Sequence, residues 1–155
     1  MGSEMCIRDR CTGEKYIYSY AQTGDIITLC DDKFTDTYMN VNFHIKGAMH
    51  IWNPQPTDYV TTSIYMIICR ESGLPEIHCI FSHSLDGAYG EQAYYFDSTR
   101  EVEVHTTIEI ADYDIWFSVE TEQNCSGNGG SAICFDGENG YVSLNSISVT
   151  FQPPW

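Results

Sequence analysis

The strongest pattern in the chain is alternation. From 38 to 46, Met39, Val41, Phe43 and Ile45 share one parity, and Asn40, Asn42, His44 and Lys46 share the other. Successive side chains of an extended segment point to opposite faces, so this stretch reads as a strand with one core face and one wet face. The same pattern sets Val102, Val104, Thr106 and Ile108 against Glu101, Glu103, His105 and Glu109. It also puts Tyr113, Ile115, Phe117 and Val119 on one face, with Trp116 on the other. Residues 59–69 (YVTTSIYMIIC) are apolar on both parities, which predicts a central strand. Further strands are predicted at 15–20 and 25–30 around a turn at Gln22-Thr23-Gly24, and at 48–52 after a break at Gly47. Others are predicted at 76–82 after the turn Gly73-Leu74-Pro75, at 92–97 and at 132–135.

Asn53-Pro54-Gln55-Pro56 is a loop, because neither proline can donate to a ladder. Asp86-Gly87 and Gly90 mark another. The last run, 141–151, switches parity: Val142 and Leu144 are even, while Ile147, Val149 and Phe151 are odd. One regular strand cannot bury both sets, so a bulge is predicted near Asn145-Ser146. No segment shows a helical period. Roughly ten short strands at regular spacing predict an all-β sandwich or barrel.

Composition narrows the function classes. The chain has 155 residues, 43% of them hydrophobic and 14% aromatic, which is enough for one domain with a real core and excludes a disordered chain. No run approaches the ~20 apolar residues of a membrane-spanning helix. The formal net charge is -15, so a basic face for nucleic acid is excluded.

Two resemblances follow. Residues 1–10, MGSEMCIRDR, resemble one reading frame of a translated sequencing adapter, which implies that 11–155 is the domain proper and that Cys6 is foreign to it. The C-terminal half, EVEVHTTIEIADYDIWFSVET followed by a Gly-rich loop and GYVSLNSISVTF, resembles jelly-roll β-sandwiches. The weaker FHIKG strand at 43–47 extends it. The families are carbohydrate-binding modules and the heads of virion fibres and trimeric adhesins. The resemblance implies an antiparallel β-sandwich of jelly-roll type, a glycan or cell-surface ligand, or else a homotrimeric structural head. It implies a secreted, cell-surface or virion location; the expectation of no catalysis comes from the residues, which offer no nucleophile elbow and no triad.

Without Cys6 there are six cysteines. Cys69 and Cys79 are symmetric about Leu74, and Cys125 and Cys134 about the Gly129-Gly130 bond, so each pair is expected to face across a hairpin. Two cross-strand disulfides are expected, with Cys11–Cys30 as the third by elimination, and an oxidising compartment follows. The alternative is buried free thiols packing as small hydrophobes. Asn124-Cys125-Ser126 is a glycosylation sequon.

Candidate chemistry is sparse. His78, Cys79 and His83 are zinc-type ligands, but an extended strand puts the two histidines on opposite faces and no paired spacing is present. Asp31, Asp32 and Asp36, and the turn DGENG with Asp136 and Glu138, offer oxygen ligands for a structural Ca²⁺, Asp136 and Glu138 being the preferred pair. Ser82-His83-Ser84 with Asp86 forms no nucleophile elbow. Trp52 and Tyr59, flanking the proline-rich loop, are the first choice for a sugar-stacking platform, and Tyr89 in the 86–90 loop is the second. Tyr94 and Trp155 are further aromatic candidates.

Overall fold

The computed structural model describes residues 4–5, 7–13, 15–29, 35–70, 73–108, 111–135 and 141–151. Ten strands run in these residues: β1 (Glu4–Met5), β2 (Ile7–Thr12), β3 (Lys15–Leu29), β4 (Thr35–Trp52), β5 (Tyr59–Arg70), β6 (Glu76–Asp86), β7 (Gln92–Ile108), β8 (Ala111–Cys125), β9 (Gly130–Phe135) and β10 (Tyr141–Phe151). All pairings are antiparallel. One sheet has the order β1-β10-β4-β9-β2, with β7 on the other side of β4. The second has the order β3-β8-β5-β6. The two form a β-sandwich.

The pairing is nested: β5 with β6, β4 with β7, β3 with β8, and β2 with β9. The chain therefore behaves as one long hairpin rolled on itself. Residues 4–5 and 7–10, inside the adapter-like stretch, pair with β10 and β9 at the edge of the larger sheet.

Alternation placed the core correctly. Met39, Val41, Phe43, Ile45, Met49 and Ile51 of β4 are buried, and they meet Val60, Ile64, Met66 and Ile68 of β5 and Ile115, Phe117 and Val119 of β8. Val104 and Thr106 are buried as expected. The predicted bulge is present, with the β10–β4 register shifting between Leu144 and Ser146. Two predicted breaks are absent. Gly47 sits inside β4 opposite Phe96, and Gly24 sits inside β3 opposite Trp116. A Cβ at Gly24 would stand 2.5 Å from the Trp116 ring, so this glycine makes room for an indole and does not turn the chain. Likewise 92–97 and 101–108 are one strand, β7.

The two sheets close against each other where β6 meets β7. Phe81 and Phe96 stack edge-on at 5.5 Å, His83 stacks on Tyr94 at 3.8 Å, and the Arg100 guanidinium lies 5.9 Å from the Phe81 ring. Burial pushes the His83 imidazole below its ordinary value. Its neutral form is the one the fold favours. Stability is therefore complete above about pH 6.5, the unfolded-state value, and falls as pH drops through the lowered folded-state value. Urea midpoints measured from pH 8 to pH 5 are expected to decline in that window, and His83→Phe is expected to flatten the decline. An unchanged profile in that variant would assign the acid sensitivity elsewhere.

Candidate functional site

The inner face of the four-stranded sheet belongs to the core, and its outer face carries the candidate site. On β8 the odd residues from Ile115 to Cys125 are buried, so the even ones point outward. On β5 the even residues from Val60 to Ile68 are buried, and the odd ones point outward. Strand register then sets side chains in rows across the sheet. One row runs Tyr16, Asn124, Tyr59 and Asp86. The next runs Tyr18, Glu122, Thr61 and Ser84, and the third Tyr20, Glu120, Ser63 and Ser82. β3 contributes tyrosines throughout; in the second and third rows β8 contributes glutamates and β5 and β6 contribute serine and threonine hydroxyls.

The tyrosines are open to solvent although they lie on a sheet: Tyr16, Tyr18 and Tyr20 are 56%, 46% and 62% exposed. Two of the three hydroxyls have carboxylate partners. Tyr16 donates to Glu122 Oε1 at 3.2 Å. Partial desolvation, the hydrogen bond to Glu120 and the nearby charges of Glu120 and Glu122 push the Tyr18 phenol up to about 12. Tyr16 is raised for the same reasons, with desolvation first and the Glu122 hydrogen bond second. Both phenols therefore stay protonated. Tyr18 and Tyr20 lie 6.2 Å apart between ring centroids, tilted by 38°. Thr61 Oγ1 and Ser84 Oγ are 2.8 Å apart, and Ser63 Oγ and Ser82 Oγ 3.0 Å apart. Beside the tyrosine column, Thr61, Ser63, Tyr65, Glu120 and Glu122 line a shallow depression of about 120 Å³.

The expected Trp52–Tyr59 platform does not form. Trp52 ends β4 on the outer face of the larger sheet, half-buried opposite Gly130, with the Arg10 guanidinium 5.3 Å from its ring. Tyr59 begins β5 on the outer face of the other sheet. The sandwich separates the two rings because the 53–58 loop crosses between layers. Tyr59 joins the first row of the tyrosine face instead. Tyr89 lies in a one-turn 3₁₀ segment, Gly87–Tyr89, capped by the Asp86 carboxylate accepting from the Ala88 amide at 2.9 Å; it is 82% exposed. Trp116 is exposed on the tyrosine face, further along β8. Tyr94 is exposed and packs against His83.

The cysteine register also differs from expectation. Among the five described cysteines the structure forms no disulfide. The β5–β6 hairpin, which carries a register shift at Ile64/Tyr65, is centred near residue 72, so Cys79 stands opposite Tyr65. That is four residues along β5 from Cys69, about 13 Å, beyond the ~7 Å a disulfide spans. Cys125 and Cys134 do not face each other either, because β8 and β9 lie in different sheets and the segment between them crosses the sandwich. Cys134 is opposite Arg8 and Ala48. Cys30, the partner assigned to Cys11, lies outside the described residues.

The same shift in β6 puts His78 opposite Met66 and His83 opposite Thr62, both core-facing positions, so the two histidines share a face after all. They serve different neighbours: His78 Nε2 lies 2.7 Å from Glu76 Oε1, which belongs to a carboxylate that also accepts from Thr106 Oγ1 at 2.6 Å. Among the described residues no three His, Cys, Asp or Glu side chains gather as metal ligands. The calcium candidates Asp136 and Glu138 lie outside the described residues, as do Asp31 and Asp32 and the side chain of Asp36, and so does Trp155. Asn124 of the sequon donates its amide N–H to Thr57 O at 3.1 Å. No helix among the described residues is long and apolar enough to cross a membrane.

The chain matches no protein-family model and no curated protein. Among solved structures it is similar to one of infectious bursal disease virus, Gx strain, with a TM-score of 0.23 and 14% identity, over 98% of this chain and 37% of that one. The chain thus spans little more than a third of that neighbour. A likeness of this degree leaves the functional reading to the geometry of the tyrosine face.

Proposed function

We propose that the chain is a non-catalytic binding module of jelly-roll type that takes a neutral carbohydrate on the outer face of β3, β8, β5 and β6. Four nested antiparallel pairs, distributed over sheets ordered β2-β9-β4-β7 and β3-β8-β5-β6, support the jelly-roll reading. The observation that carries the function is the column of exposed Tyr16, Tyr18 and Tyr20 beside Glu120 and Glu122. A sugar ring offers flat C–H faces for aromatic stacking and hydroxyl donors for carboxylates. The serine and threonine columns supply further donors and acceptors. The three rows contain no lysine or arginine, so an anionic ligand would meet only repulsion. Both carboxylates bind tyrosine hydroxyls and sit side by side on one strand, not across a cleft, which supports binding without hydrolysis. A module of this kind acts outside the cytoplasm, at a cell surface or on a virion.

A glycan array identifies the ligand, and titration of variants tests the face. Tyr18→Ala and Glu120→Gln are each expected to weaken binding by about tenfold or more, with melting temperature little changed. Trp52→Ala and Tyr89→Ala are expected to leave affinity within about twofold. The opposite ranking would return the site to the loop end. Light scattering addresses the structural-head alternative: a trimer that Tyr18→Ala dissolves would assign the same face to subunit contact.

A further inference from the structure

The loop end of the sandwich holds two buried cysteines from different sheets. Cys11, near the end of β2, is fully buried, and Cys125, the last residue of β8, is 3% exposed. Their surroundings converge on each other. Cys11 donates its S–H to Lys15 O at 3.4 Å, and Lys15 stands directly opposite Cys125 in the β3–β8 ladder. Cys11 in turn stands opposite Ser131 in the β2–β9 ladder, and the Ser131 hydroxyl lies 3.3 Å from Cys125 Sγ. Cys125 is also among the neighbours that raise the Cys11 thiol above its ordinary value. Gly13, with φ of 74°, reverses the chain between β2 and β3 and brings the two strands to this point.

We propose that Cys11 and Cys125 form a disulfide that staples the two sheets, with glutathione disulfide or an equivalent disulfide donor as the oxidant. This pairing replaces both Cys11–Cys30 and Cys125–Cys134. The chemistry balances. One protein thiolate attacks the donor's S–S bond, forming a mixed disulfide and releasing one glutathione thiolate. The second protein thiolate attacks the protein sulfur of that mixed disulfide and releases the other. Two protein thiols lose two electrons and two protons, and the donor becomes two glutathione thiols.

Burial, together with the hydrogen bond and charge of Cys125, pushes the Cys11 thiol up to about 12, so the folded, reduced protein reacts slowly. The bond therefore forms as the chain folds, before the pair is sealed from solvent. Both cysteines lie outside the first ten residues, so the staple belongs to the domain proper.

The full chain, unfolded in urea and refolded in a glutathione redox buffer, tests this. Alkylation and peptide mapping are expected to recover a fragment joining the Cys11 and Cys125 peptides, two hydrogens lighter than the reduced pair. Because the bond would close a loop of over ~100 residues, the oxidised protein is expected to melt about 10 °C above the reduced form. Cys11→Ser and Cys125→Ser are each expected to abolish that difference, and Cys134→Ser to preserve it. Recovery of Cys11 and Cys125 as alkylated thiols, or of either joined to another cysteine, would overturn the proposal. The peptide map of the unaltered chain decides even where a serine variant fails to fold.

Discussion

Replacing Asp58 by alanine is expected to destabilise the protein by about 3 kcal/mol and to loosen several crossing segments together. Asp58 is 1% exposed. Its Oδ2 accepts the Gln55 amide at 2.9 Å, and its Oδ1 accepts the Ser126 hydroxyl at 2.6 Å. Its backbone N–H donates to Gln55 O at 2.9 Å, and its carbonyl accepts the Gly87 amide at 2.7 Å. One residue thus clasps the 53–58 loop, the crossing after β8 and the 3₁₀ turn after β6. Hydrogen bonds to a charged acceptor are worth about 1.5–3 kcal/mol each, and truncation leaves both donors without it. Relief of the buried charge offsets part of the loss. Asp58→Asn is expected to cost less, about 2 kcal/mol, because its amide keeps one acceptor oxygen but sets a second donor against a donor. Urea denaturation measures both: the midpoint should fall while the slope stays the same. Hydrogen exchange should quicken first at the Gln55 and Gly87 amides. A variant within about 0.5 kcal/mol of the parent would show that the loops hold one another without the carboxylate.

Alternation made the faces legible and left the partners hidden. The buried set of β4, the inward Val102, Val104 and Thr106, and the bulge beside Asn145 all follow from parity, because parity reports which side of a sheet a residue faces. It does not report which strand lies opposite. Cys125 and Cys134 are symmetric about a glycine pair, yet the glycines serve a crossing between layers and no hairpin forms. Cys69 and Cys79 fail for a different reason. The β5–β6 hairpin is centred near residue 72, with Ile68 opposite Glu76, and not on Leu74.

Loop aromatics were a natural first choice for a ligand site, since loops carry many sites. Trp52 and Tyr59 are only seven positions apart in sequence but occupy opposite outer faces, which no local pattern encodes. The tyrosine face did leave a local trace. Tyr16, Tyr18 and Tyr20 share one parity in KYIYSY, and Glu120 and Glu122 share one in VETE. The register of β3 against β8 is what joins the two sets, and it is set by contacts a hundred residues apart in the chain.

Phe43→Ala is expected to have the largest effect on the fold, about 3–5 kcal/mol, and to leave the recognition chemistry untouched in whatever fraction stays folded. Phe43 is 2% exposed on β4, the strand paired on both edges, opposite Arg100 on one side and Leu144 on the other. Its ring fills the space between the layers, so truncation forfeits its transfer free energy and opens a cavity that two paired sheets can only partly close. At about 2–4 °C per kcal/mol for a domain of this size, melting should fall by roughly 10 °C or more, and Phe43→Leu should recover most of it. Tyr18→Ala should show the reverse profile, with lost affinity and a fold stability within about 0.5 kcal/mol. The separation follows from the strand itself. Val119 and Glu120 are adjacent in sequence, yet one is sealed in the core and the other lines the tyrosine face. If Phe43→Ala and Tyr18→Ala instead lowered affinity and stability in proportion, recognition would depend on the packing between the sheets, and a face read from outward residues alone would be wrong.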